Sequence, residues 1–364
     1  MRRTRVLVVD NSVVTRRVLS DCISADDALE VVGGAATGRI ALAKLRQLCP
    51  DVITLDTELS DMSGLDLLRA IRETHPTLPV IIFGVVSPVA SRGTIAALVA
   101  GASDFVDKPT GQNGVAETMA RVREQVVPKI KACHTDAALL QEDDSWLPAS
   151  PSFGKSGASP ISLLAIGAST GGPSALLQIL SRLGPEFPVP IVIVQHMPAA
   201  FTRTLADRLS AECNMKVTEA EAGDVLVPGQ AFIAPGDQHM VLGGERARVR
   251  LGLHQGPAEN SCRPSVDVLF RSAAKVHGDS LLAVILTGMG RDGLRGSEYV
   301  RAVGGSVLVQ DEKSSVVWGM PRFVMQAGLA HAVVPLSEMA SEISRRVAQH
   351  RRPAPSIQSI GPSW

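Results

Sequence analysis

Aromatic side chains make up only 3% of this 364-residue chain, with a single tyrosine. Its cores must therefore rest on Val, Leu, Ile and Ala, and the 45% apolar content suits a globular α/β protein. No sign of charge dominates: 36 Lys and Arg balance 36 Asp and Glu. Attraction to nucleic acid or to an anionic membrane surface is not implied, and no basic helix-turn-helix pattern appears. The five cysteines (Cys22, Cys49, Cys133, Cys213, Cys262) are an odd number without CxxC or Cys/His ligand spacing, which points to reduced thiols in a cytosolic protein. Long apolar runs are missing too. Val6–Val9 ends at Asp10, too short for a signal-peptide core, and nothing approaches the roughly 18 residues that span a bilayer. A cytoplasmic protein without membrane insertion is expected.

What is present is a repeated alternation of strand and helix. Apolar runs at Val6–Val9, Glu30–Ala35, Val52–Leu55, Val80–Val85 and Asp104–Val106 alternate with helical spacing over Ser12–Ser24, Gly38–Leu48, Leu65–Thr74, Val89–Ala100 and Gly114–Lys131. Five such units predict a doubly wound parallel sheet, with function at the carboxyl ends of its strands. From 132 to 160 the pattern breaks into a polar, Ser/Pro-rich stretch that reads as a linker, with Leu139, Leu140 and Trp146 as a small apolar cluster. A second α/β domain is expected over 161–350, with strands at Leu163–Ile166, Ile191–Gln195, Ala231–Ile233, Val249–Leu253, Leu281–Leu286 and Ser306–Val309. Gly243-Gly244 ahead of Arg246–Leu253 is a hairpin signal, so an antiparallel piece is expected to interrupt this mostly parallel sheet. The tail 351–364 is expected to be disordered.

In the first domain (4–131), Asp10-Asn11 ends the first strand, Asp56 the third and Ser87 the fourth, while Phe105 and Lys108-Pro109 close the fifth. Asp10 with Asp56 makes an oxygen-rich pocket suited to Mg²⁺, with Asn11 and Glu58 as further candidate ligands. Lys108 is placed to hold phosphoryl oxygens, and the Asp56 carboxylate to attack a phosphoryl group. Val8-Val9-Asp10-Asn11-Ser12, Thr54-Leu55-Asp56 and Asp107-Lys108-Pro109 resemble the receiver domain of two-component response regulators. The resemblance implies a flavodoxin-like (βα)5 fold, Asp56 as phosphoacceptor, Ser87 and Phe105 as switch residues, and a histidine kinase as phosphodonor. Asn11 departs from the family by an amide where a second acid stands, which predicts weaker metal binding. A domain that never accepts phosphate is the alternative.

In the second domain Ser169 lies in Gly167-Ala168-Ser169-Thr170-Gly171-Gly172, between an apolar strand and a helical run. A serine on such a turn exposes its hydroxyl next to helix N–H groups, as a hydrolytic nucleophile requires. A phosphate-cradling turn is the alternative reading, disfavoured because the spacing is not GxGxxG and His196, not an acid, ends the next strand. His196 is then the candidate base. Asp292, in Thr287-Gly288-Met289-Gly290-Arg291-Asp292-Gly293, is the candidate to orient it, with a helix cap as its bland role.

Ala165–Gly172, Gln195-His196-Met197, Ile233–Asp237, Arg263–Asp267, Leu286–Gly293 and Gln310-Asp311-Glu312 resemble the protein-glutamate methylesterase family of CheB type. The resemblance implies Ser169 as nucleophile, His196 as base then acid, Asp292 as orienter, Met289 as oxyanion N–H donor and Thr170 lining the site. It implies γ-glutamyl methyl esters of chemoreceptors as substrate, with glutamine deamidation in related members, and an unphosphorylated receiver lying over the cleft. Arg263 is expected at the cleft rim facing receptor carboxylates, His239 is expected to be structural, and Cys262 is a weak nucleophile candidate with no His partner nearby. An output domain that only captures a partner, or one that binds a nicotinamide cofactor, are the competing hypotheses.

Overall fold

The computed structural model describes residues 2–85, 91–108, 115–134, 159–244 and 248–349. The expectations for Ser87, for Pro109, for Leu139, Leu140 and Trp146 and for the 351–364 tail fall outside these residues. The N-terminal unit runs β1 (Thr4–Val9), α1 (Val13–Ser24), β2 (Leu29–Ala35), α2 (Gly38–Leu48), β3 (Val52–Leu55), α3 (Gly64–Thr74), β4 (Val80–Gly84), α4 (Ser91–Val99), β5 (Asp104–Asp107) and α5 (Val115–His134). Its strands pair in parallel in the order β2-β1-β3-β4-β5. Helix starts follow local chemistry: Ser12, Thr37 and Ser63 each accept an N–H of the first turn of α1, α2 and α3. Strands β3 and β4 are buried throughout, as a sheet covered by helices on both faces requires.

The C-terminal unit comprises β6 (Leu163–Ala168), α6 (Gly172–Leu183), β7 (Ile191–Gln195), α7 (Ala199–Glu212), β8 (Lys216–Glu219), β9 (Gln230–Ile233), β10 (His239–Gly243), β11 (Arg250–His254), α8 (Val266–His277), β12 (Leu281–Ile285), α9 (Leu294–Ala302), β13 (Ser306–Gln310), α10 (Met320–Gln326), β14 (Ala332–Val334) and α11 (Leu336–Gln349). Seven parallel strands stand in the order β14-β13-β12-β6-β7-β9-β8. The hairpin is present, but β10 and β11 pair only with each other. They form a separate two-stranded sheet rather than interrupting the parallel one. Met240, Leu242 and Leu251 supply it with a buried face, which packs into the same apolar cluster as Leu269 and Phe270 of α8.

Both large sheets change winding direction beside one strand. In the first, β1 sits between β2 and β3; in the second, β6 sits between β12 and β7. Such switch points open a crevice at the carboxyl ends of the strands. The crevice of the second unit faces the first. Phe105 of β5 meets the buried Phe201 of α7 edge to face, with centroids 4.7 Å apart. The Ser91 hydroxyl at the start of α4 donates to the Ala200 carbonyl at 3.1 Å. Leu67, Ile95, Leu98, Leu176 and Phe201 belong to one buried apolar cluster that continues across the two units.

Candidate active site

Ser169 leaves the end of β6 and enters α6 through Gly171, which takes the left-handed φ of 79°. A side chain on Gly171 would come within 2.6 Å of Val316, and one on Gly172 would collide with the Gln195 amide. Only glycines admit this tight turn. The Ser169 amide donates to the Thr287 carbonyl at 3.0 Å, and the Gln195 side chain donates to the Ser169 carbonyl at 2.9 Å. The backbone under the hydroxyl is thus pinned from both neighbouring strands.

His196 follows β7, whose Gln195 pairs with Ala168 of β6. Its Nε2 lies 2.8 Å from Asp292 Oδ2. Asp292 is 2% exposed, yet its carboxylate is fully satisfied. It accepts from His196, from the Val266 amide (2.7 Å), the Ser265 hydroxyl (2.8 Å), Asn260 Nδ2 (3.1 Å) and the Asp267 and Gly293 amides (both 3.1 Å). Val266 and Asp267 open α8, so the carboxylate caps that helix and lies at the positive end of its dipole. Burial works against its charge, but the His196 hydrogen bond and these donors outweigh it and hold its pKa below the usual carboxylate value. The capping role and the His-orienting geometry coexist in one side chain. Asp267 returns the favour, accepting from the Gly293 and Gly296 amides at the start of α9 at 2.9 and 2.6 Å. Burial and the charge of Asp292 push Asp267 up to about 6.

Ser169 and His196 line the same cleft but do not bond. The imidazole Nδ1 meets Cys262 Sγ at 3.7 Å instead. Cys262 therefore has a His partner, brought from 66 residues away by the turn that ends at α8, contrary to the expectation from local spacing. Burial opposes the charge on His196, while the hydrogen bonds to Asp292 and Cys262 outweigh it and raise its pKa. Met289 is exposed and lines the cleft. Among the described residues its amide donates to no acceptor. Arg263 does not reach the cleft lining; its guanidinium is forked onto Asp237 at 2.6 and 2.9 Å and donates to the Gly256 carbonyl. His239 is 1% exposed, bonded to the Pro257 carbonyl and accepting from the Ser265 amide, a structural residue as expected.

The cleft has a volume of about 700 Å³ and walls from both units: Ser169, Thr170, His196 and Cys262 face Asp104, Phe105 and Lys129. The Thr170 hydroxyl donates to Asp104 Oδ2 at 2.5 Å, and the Gly171 amide to the Ser103 carbonyl at 2.7 Å. Asp104 is in turn held by Lys129 at 2.7 Å, whose ammonium also lies over the Phe105 ring. Local pattern carried no sign of Asp104 or Asn260 as site residues, while Gln195, Ser265 and Asp267 lay in motif segments without a role of their own.

The rim of the first sheet forms a second constellation. Lys108 Nζ donates to Asp10 Oδ2 at 2.9 Å and to Asp56 Oδ2 at 3.1 Å. Asp10 is fully buried. Burial and the nearby Asp56 raise its pKa against the pull of Lys108 and the Ser12 amide. Burial lowers the Lys108 pKa, but its two carboxylate hydrogen bonds outweigh this and raise it. Asn11 Nδ2 donates to the Glu58 carbonyl at 2.9 Å, and the Glu58 amide to Asp56 Oδ1 at 3.3 Å. Two carboxylates converging beside an amide and a backbone carbonyl are the hard-oxygen donor set that Mg²⁺ prefers.

A doubly wound domain with an acidic, lysine-bridged rim, pressed onto a second α/β domain whose cleft holds serine, histidine and aspartate, defines a response regulator with an enzymatic output. Comparison with known proteins bears this out at both ends: residues 164–343 match the CheB methylesterase family and residues 6–120 the response regulator receiver domain. A protein-glutamate methylesterase/protein-glutamine glutaminase of Trichodesmium erythraeum is 46% identical over 353 residues, covering 95% of this chain and 100% of its own. One of the same name from a Nocardioides strain is 45% identical over 98% of each chain. The crystal structure of the Thermotoga maritima CheB methylesterase catalytic domain matches with TM-score 0.50 and 40% identity, over 51% of this chain and 98% of that one. This chain belongs to the CheB methylesterase family, with a receiver domain at its N-terminal end.

Proposed function

We propose that the chain hydrolyses γ-glutamyl methyl esters on chemoreceptor helices in the cytoplasm, releasing methanol, under control of phosphorylation at Asp56. The observation that supports this reading most is the His196–Asp292 pair at 2.8 Å in a cleft shared with Ser169. Because Asp292 occupies Nε2, Nδ1 is the nitrogen left to take a proton from Ser169. The Ser169 oxygen attacks the ester carbonyl, and the Met289 N–H and the Thr170 segment face the oxygen that becomes charged. His196 then protonates the departing methoxide, and water releases glutamate from the acyl-enzyme by the reverse proton path. The same steps on a glutamine side chain release ammonia, in keeping with the double name carried by the relatives.

Gating follows from where the receiver docks. Asp104 and Ser103 hold Thr170 and Gly171, the two residues after the nucleophile, and Phe105 holds α7. Large substrates cannot approach while this face is docked. Asp10 and Asp56, with the hydrogen-bonded Asn11 and Glu58 segments, would hold Mg²⁺, which when bound screens the charge of an incoming phosphoryl group. Lys108 holds the phosphoryl oxygens. A phosphoryl group on Asp56 carries about 1.5 to 2 negative charges where the free carboxylate carries one and draws Lys108 from its present bridge, which reshapes the neighbouring β5 face and loosens the Asp104–Thr170 contact. Methanol release from methylated receptors, by wild type but not by Ser169→Ala or His196→Ala, tests the ester chemistry; equal release by either variant refutes it.

A further inference from the structure

We propose that the cleft binds a thiophilic divalent cation of the zinc type between Cys262 Sγ and His196 Nδ1, and that the bound ion shuts off the enzyme. The two ligand atoms stand 3.7 Å apart. Zinc bonds of about 2.3 Å to sulfur and about 2.0–2.1 Å to imidazole nitrogen, at a tetrahedral angle, place those atoms about 3.6 Å apart. The separation of the two ligand atoms already matches that bite. Asp292 completes the arrangement from behind. Its bond to Nε2 at 2.8 Å makes Nδ1 the lone-pair nitrogen and orients the ring, as carboxylates do for metal-bound histidines. His196, Cys262 and Asp292 are the one group of three His, Cys, Asp or Glu side chains among the described residues whose ligand atoms lie within 4.8 Å of one another. The Asp292 oxygens are taken by backbone and side-chain donors, so the direct ligands are sulfur and nitrogen.

The remaining coordination positions face the cleft, where water or the Ser169 hydroxyl completes the shell. Asp107 and Glu124 also line this cleft and favour entry of a cation. Binding breaks the Cys262 S–H bond and, where His196 is an imidazolium, its Nδ1–H bond as well; the protons leave to solvent and metal–sulfur and metal–nitrogen bonds take their place with no change of oxidation state. The Nδ1 lone pair is then engaged and cannot accept the Ser169 proton. Inhibition rests on the esterase reading; metal binding does not.

The test uses the full-length chain, reduced, stripped with EDTA, supplied with excess Mg²⁺ for the receiver rim and titrated with Co²⁺ as an optical stand-in for zinc. A near-ultraviolet thiolate-to-cobalt charge-transfer band saturating at about one equivalent is expected, with methanol release falling in parallel and recovering on EDTA. Cys262→Ser should lose the band, and Asp292→Asn, which keeps the shape of the site, should weaken Co²⁺ binding about 10- to 100-fold. No band in the wild type, or an unchanged band in Cys262→Ser, overturns the proposal. Inactivation that a reductant reverses and EDTA does not would assign Cys262 to oxidation and overturn it too. A Cys262-dependent band in a protein that never releases methanol would uphold the metal site and sink the esterase reading.

Discussion

At the scale of single residues, the proposed chemistry concentrates on His196 and the carboxylate behind it, with His196 as its base. Asp292 holds the ring and raises its pKa against the opposing effect of burial. A base must be neutral to accept a proton, so a raised pKa delays activity to higher pH. The kcat/KM profile should therefore climb through a midpoint above the ordinary histidine value of about 6.5. Asp292→Asn should move that midpoint down and lower the rate about 10³- to 10⁴-fold. A midpoint unmoved by the substitution would show that Asp292 does not set the base. Asp267 has a different duty. Its carboxylate caps α9 and accepts from Asn260 of the cleft wall without itself lining the cleft, so Asp267→Ala should destabilise the fold by about 1–3 kcal/mol. Denaturant unfolding measures this, and a change well under that range would contradict the capping account.

The elements were mostly legible in the sequence, and the reasons are physical. Strands of a covered parallel sheet are short unbroken apolar runs, so β3, β7 and β12 stand out, and α2 occupies its predicted span, Gly38–Leu48. Edge strands do not announce themselves. The predicted strand set lacks β8 (Lys216–Glu219) and the three-residue β14 (Ala332–Val334), which sit at the two ends of the larger sheet and carry half-exposed side chains. The serine, histidine and acidic candidates were readable because each ends a strand in a glycine-rich or turn-like segment. The His partner of Cys262, and any role for Asn260 and Asp104, were not, since the partners lie 66, 32 and 66 residues away and only folding brings them together. The contact of β5 with the turn before α6 yields a prediction at this scale. Asp104→Ala removes the acceptor of the Thr170 hydroxyl and should raise the activity of unphosphorylated protein roughly 5- to 150-fold. Unchanged activity in the methanol assay would mean that this contact does not hold the receiver down.

At the scale of the whole molecule, two sheets with the same winding logic serve different chemistry. One gathers hard oxygen ligands and a lysine at its switch point; the other gathers serine, histidine and aspartate. They communicate because the β5 edge of the first forms a wall of the second's cleft. Removing Mg²⁺ with EDTA should abolish activation by a small phosphodonor while leaving the basal rate in place. Activation that survives chelation would detach phosphorylation from the Asp10–Asp56 rim. The dependence of the second domain on the first is also testable by dissection: a fragment starting near Ser159 should be active without phosphodonor, at a rate above that of the unphosphorylated full chain.

The most direct test of the account is the rate of methanol release from methylated receptors by the full-length protein, before and after addition of a small phosphodonor. The rate should rise severalfold on phosphorylation, and Asp56→Asn should hold it at the basal level. A rate indifferent to the phosphodonor, in protein whose Asp56 is demonstrably phosphorylated, would contradict the coupling of receiver and cleft described above.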